Sequence, residues 1–152
     1  MADEATTAGA ATPEAPRLGE RTTSLRGATH AVLRIGAGLL FMQHGAQKLF
    51  GAFGGMGPNG GTVQLFSQFG LAGVFEFFGG LLIVLGLLTR PVAVILLCEM
   101  LVAFFQAHLP RGGFPIQNGG ELALLYALVW AFLAGHGAGP ASVDGALAAK
   151  DR

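Results

Sequence analysis

Chemistry in this chain is concentrated in a few ionisable and amide side chains set in apolar surroundings. Arg34, His44, Gln47 and Lys48 lie within THAVLRIGAGLLFMQHGAQKLFG, and three later segments carry one glutamate each, Glu76, Glu99 and Glu121. A charge at bilayer depth costs about 2.5–3.5 kcal/mol on insertion scales, so such residues face a protein interior and mark a pathway or a site. An imidazole, an ammonium and carboxylates brought together can hold and exchange protons with a polar ligand, the requirement of proton-coupled redox chemistry.

Helical spacing sorts these groups. Residues seven apart share a face, which puts Arg34, Phe41 and Lys48 on one stripe with Gly38, His44 and Gly45 beside it. In the same way Glu76 shares a face with Gly79, Gly80, Ile83 and Leu87, and Glu99 with Gln106. Counting about 1.5 Å per residue puts Arg34 roughly 9 Å and Glu99 roughly 12 Å in from one side of the bilayer, and His44 level with Glu76 in the other half. Two polar layers are expected. The deeper is an Arg34–Glu99 ion pair with a structural role, fixing helix register. The outer is a site in which His44, Glu76 and Lys48 act chemically while Phe41, Gln47, Gln106 and Glu121 contact a ligand. Phe75, Phe77 and Phe78 offer an apolar slot beside it.

Other chemistries fit less well. Haem ligation by His44 and His108 has no further support in the chain. His44, Glu76 and Glu121 lack the close spacing of a metal motif, and no metal is expected. Tyr126 and Trp130 read as packing or lipid-facing residues. The glycines match no phosphate-binding fingerprint.

The elements that must position these groups are four apolar segments at about 28–50, 70–89, 91–109 and 120–137, against the ~20 residues needed to cross a ~30 Å core. The expected fold is all-α, a four-helix transmembrane up-down bundle. Residues 28–145 form the membrane domain, residues 1–27 a disordered cytoplasmic tail and residues 146–152 a short C-terminal tail. The first connection is long and Gly-rich, and its second half is expected to form a short amphipathic helix. Thr89-Arg90-Pro91 makes a tight turn between spans two and three, and LPRGGFPIQNGG an irregular loop.

Composition agrees: 52% of the 152 residues are hydrophobic and 12% charged, against about 25% charged in soluble domains. Net charge is zero without a basic block, which argues against a nucleic-acid partner. Lys and Arg outside the spans favour one side, so both termini are expected in the cytoplasm of a multi-pass protein of a bacterial-type inner membrane. Cys98 is the single cysteine, which excludes an intramolecular disulfide and a paired-thiol relay.

LRIGAGLLFMQHGAQKLFG, FEFFGGLLIVLGLLTRP and NGGELALLYALVWAFLAGHGAGPASVDG resemble the DoxX family of small membrane proteins. The most specific elements are Arg34, Phe41, His44-Gly45 and Lys48-Leu49-Phe50-Gly51; Ser142-Val143-Asp144 is similar to the family's closing Ser-Leu-Asp. The resemblance implies a four-helix integral membrane protein and, loosely, an oxidoreductase, since the family name is shared with a subunit of an archaeal thiosulfate:quinone oxidoreductase. The leading expectation is a quinone-linked oxidoreductase subunit with no redox cofactor of its own, working in the lipid bilayer with another subunit or as a homo-oligomer. The alternative is a non-catalytic scaffold or accessory subunit.

Overall fold

The computed structural model describes residues 18–150, and within that range the chain is helical with irregular connections. Four long helices carry the architecture: α1 (Leu18–Phe50), α2 (Gln68–Leu85), α3 (Thr89–Arg111) and α5 (Glu121–His136). Two short ones accompany them, α4 (Pro115–Asn118) and α6 (Val143–Lys150).

The segment expected as tail up to residue 27 is helical from Leu18, and residues 1–17 and 151–152 lie outside the described residues. Once the apolar part of α1 has nucleated a helix, each preceding residue adds one hydrogen bond at little cost, and Leu18, Glu20, Arg21 and Leu25 are good helix formers. At the other end, α6 takes up most of the expected C-terminal tail.

The turn between α2 and α3 falls three residues earlier than expected. Gly86 closes α2 in the left-handed region, Leu88 adopts φ 51°, and Thr89 opens α3 with Pro91 in its first turn. The long, Gly-rich first connection holds 3-10 turns at Ala52–Gly54 and Pro58–Gly60. The amphipathic helix expected after them does not form. Residues 61–67 are non-helical, and α2 begins only where Ser67 Oγ accepts the Gly70 N–H.

α1 and α2 pack along a seam of glycines. A Cβ on Gly38 would lie 2.9 Å from Gly80 O, and one on Gly45 would lie 2.7 Å from both Gly73 O and Phe77 Cβ. Small residues at these crossings let the backbones approach, as in membrane helix pairs. α3 packs most extensively on α5, and α1 touches α5 through Phe41, which sits against Tyr126 and Trp130 with ring centroids 4.9 and 5.1 Å apart. These rings join Ile83, Leu96, Met100, Phe104 and Leu133 in one apolar core.

α2 and α3 are the two helices, among the described residues, long and apolar enough to cross a membrane. Only 33% and 22% of their most apolar stretches is buried inside the protein. Phe75, Phe78, Leu81, Leu85, Val94, Ile95, Val102 and Phe105 face outward while Arg34, Lys48 and Glu76 are buried. A soluble protein rarely exposes an apolar surface of that extent. Apolar faces outward and charges inward are the arrangement that lipid favours.

Candidate functional site: a buried ion pair at a widened helical turn

Lys48 ends the stripe that starts at Arg34, in the last turn of α1. Its ammonium donates to both oxygens of Glu76, at 2.7 and 2.5 Å, and both residues are buried, at 7% and 5% exposure. The backbone of α2 widens into a π-turn over Phe75–Gly79, so Glu76 sits on a local bulge. Such bulges re-aim a side chain and recur at functional sites. α3 widens in the same way over Phe104–His108.

Around the pair stand three more polar groups. Glu99 of α3 lies near enough to Glu76 and Lys48 to feel both charges, and both of its oxygens are buried without a hydrogen-bond partner. His44, one turn before Lys48, is half-buried and meets the Tyr126 ring edge to face at 6.0 Å. Tyr126 in turn stacks on Trp130, whose Nε1 is also buried and unpartnered. The site is thus an ammonium bound to one carboxylate, with an unpartnered carboxyl group close by and the Tyr126 ring of α5 beside His44.

Of the residues expected in the outer layer, the structure brings Lys48 and Glu76 into direct contact and leaves His44 beside Lys48, facing Tyr126 rather than Glu76. Phe41 is fully buried in the aromatic stack, one helical layer away. Gln47 is half-buried on α1. Gln106 is exposed and accepts from the Gln68 amide, and Glu121 is exposed in the first turn of α5. These last two stand apart from the cluster because Gln106 lies two turns beyond Glu99 on α3 and α5 has only begun at Glu121. Phe75 and Phe78 face outward, which leaves Phe77 as the half-buried member of the expected slot, set edge-on to Phe50 at 5.1 Å. Tyr126 and Trp130 belong to the core.

The expected Arg34–Glu99 pair is absent. Arg34 donates to Ile83 O at 2.6 Å, Val84 O at 2.5 Å and Ala141 O at 2.5 Å, and Asp144 is its nearby counter-charge. A depth count from residue 28 assumes that the membrane edge lies there. Because α1 starts at Leu18 and protrudes, Arg34 is level with the α2–α3 turn, whereas Glu99 stands ten residues into α3, about 15 Å further on. Glu99 therefore joins the Lys48–Glu76 layer.

At the Arg34 end the chain after α5 folds back as a strap. His30 Nε2 bonds Gly137 O at 2.9 Å, and Ser142 Oγ donates to Gly139 O and accepts from Gly145 N–H. Asp144 accepts the Leu88 and Thr89 N–H groups at 2.8 and 2.9 Å. Slight burial pushes the Asp144 carboxyl up, but the N–H groups of Thr89 and Leu88 and the Arg34 charge outweigh it and hold it below the usual carboxylate range. Arg34 and the Ser142-Val143-Asp144 element thus act together, tying the strap to the carbonyl end of α2 and the amide end of α3.

A family model matches residues 29–109, more than half of the chain, and it is the DoxX model. A protein of Haemophilus influenzae described only as uncharacterized is 41% identical over 121 residues, which cover 75% of this chain and 87% of that relative. No solved structure is significantly similar. The matched region holds Arg34, His44, Lys48, Glu76 and Glu99, and DoxX proteins are membrane-associated, in keeping with the two apolar helices and their outward-facing side chains. The chain belongs to the DoxX family.

Proposed function

We propose that the chain is a membrane oxidoreductase subunit that binds a quinone headgroup at the Lys48–Glu76–Glu99 layer, with α1, α2, α3 and α5 all crossing the bilayer as an up-down bundle. The observation that carries this reading is the bidentate Lys48–Glu76 pair buried among lipid-facing helices, next to a carboxyl group whose oxygens have no partner. A buried charge pair is retained at little or no gain in stability over an apolar one. An additional group with unmet hydrogen bonds goes beyond what register requires.

The donor set suits the ligand class. Lys48 supplies N–H donors, Glu76 and Glu99 supply oxygens, and Phe41, Tyr126 and Trp130 supply aromatic surface nearby. The quinone would bring the electron-accepting centre, and this chain would bind, orient and hold protons at named oxygens. Electrons come from a partner subunit, because Cys98 stands alone and no side chain of the chain carries them. The expected setting is an inner membrane with both termini in the cytoplasm.

Trp130 is the single tryptophan of the chain and is fully buried, stacked on the Tyr126 ring that His44 meets, so its fluorescence reports on the site through that ring. Titration of the purified protein with a short-chain quinone is expected to quench it saturably, and Glu76→Gln is expected to weaken the effect about tenfold, the loss of one charged hydrogen bond. Linear quenching that is the same in both proteins would refute the reading.

A second reading, an accessory subunit that docks a partner through its loops, draws on a different observation. Phe66 is 94% exposed, Ile116 77% and Phe114 68%, all in the connections at the Lys48 end. Lost complex assembly with unchanged quinone binding on Phe66→Ser/Ile116→Ser would favour it.

A further inference from the structure

Glu99 is the one carboxyl group of the layer, among the described residues, whose partners are missing. Lys48 from α1 is committed to both oxygens of Glu76 from α2, His44 faces Tyr126 from α5, and both Glu99 oxygens are shut off from solvent without a donor. An ionised carboxylate in that position would be shut off from bulk solvent with no hydrogen bond from the protein, a costly state for a buried carboxyl group. The nearest cation is already neutralised by Glu76, so a second negative charge would leave the layer with a net charge of −1 inside lipid. One proton on Glu99 makes the layer neutral and turns the side chain into an O–H donor with a free carbonyl.

We infer that Glu99 stands as a neutral carboxylic acid, a proton-holding residue of the buried layer, and offers its O–H to a carbonyl oxygen of the bound ligand. The ligand half of this inference rests on the quinone reading above; the proton half rests on the burial and the missing partners alone. The acid complements Lys48: one donor carries charge and is fixed by Glu76, the other is neutral and unengaged. A carbonyl oxygen of the ligand would accept the O–H that no group of the protein accepts.

Infrared spectra of the full chain in lipid nanodiscs test the proton. Wild type at pH 7 should show the carbonyl stretch of a protonated buried carboxyl group. Glu99→Gln should abolish it and Asp144→Asn, at the far end of the bundle, should keep it. Absence of the band from wild type at pH 7, or its survival in Glu99→Gln, would overturn the inference. Wild type alone decides the first point, so a misfolded variant does not protect the idea. Short-chain quinone quenching of Trp130 tests the ligand half: Glu99→Gln keeps an N–H donor and should bind within about threefold, while Glu99→Leu should lose about tenfold. Equal binding by wild type and Glu99→Leu would overturn that half. A band without any saturable quenching in wild type would instead sink the quinone reading and leave the proton in place.

Discussion

Lys48 on α1 and Glu76 on α2 form a bidentate, buried ion pair where the two helices come together at Gly45, Gly73 and Phe77. A charge pair in such surroundings is costly to break on one side only. Lys48→Met or Glu76→Leu alone is expected to destabilise the fold by about 3–5 kcal/mol, whereas the double variant should return to within about 1–2 kcal/mol of wild type. Detergent-titrated unfolding followed by circular dichroism gives the cycle, and additive single effects would show that the two side chains do not depend on each other.

Arg34 is held by three carbonyls rather than by Glu99. A lysine carries the same charge but cannot present a planar fork to carbonyls on two segments. Arg34→Lys should therefore cost about 1–3 kcal/mol and loosen the strap, read as faster proteolysis after residue 137. Glu99→Gln should leave that proteolysis unchanged. Equal loosening by both would mean that Arg34 and Glu99 are coupled after all.

Asp144 makes the strap pH-sensitive. Its folded-state affinity for a proton lies below that of the unfolded chain, so its contribution is fully present above the unfolded value of about 3.9 and fades as pH falls through the lower folded value. Melting temperature should fall on acidification below about pH 4 more steeply in wild type than in Asp144→Asn. Parallel pH profiles for the two proteins would count against the capping role.

Much of this arrangement is legible in the amino-acid sequence. The apolar segments announce themselves because lipid demands long runs, and the Arg34-Phe41-Lys48 stripe brings Lys48 toward Glu76 because a seven-residue step returns to one face. Glu99 escapes because depth counting needs a known membrane edge, and the edge of α1 is set by the strap and by Gly86, whose left-handed turn lies beyond local periodicity. For Tyr126 and Trp130 the sequence leaves packing and lipid contact both open, because an aromatic residue in a wholly apolar helix has no amphipathic pattern to say which side is inside. The π-turns at Phe75–Gly79 and Phe104–His108 have no composition signal at all, and they shift which residues face the layer.

The glycine seam offers an internal control. Gly45→Ala would press a methyl group to 2.7 Å from Gly73 O and Phe77 Cβ, while Gly36 has nothing within 4 Å. Gly45→Ala should destabilise by about 1–3 kcal/mol through overpacking, and Gly36→Ala should stabilise by about 0.5–1 kcal/mol through helix propensity. Thermal melts of both variants decide it, and two similar shifts would argue against close packing of α1 on α2.

Whether the Lys48–Glu76–Glu99 layer binds a quinone can be read from the quinone that co-purifies with the protein. Solvent extracts of wild type and of Lys48→Met/Glu76→Leu, both taken from the native membrane in mild detergent, should differ about tenfold or more in quinone per protein. Equal amounts in both, or none in wild type, would mean that the layer is not a quinone site.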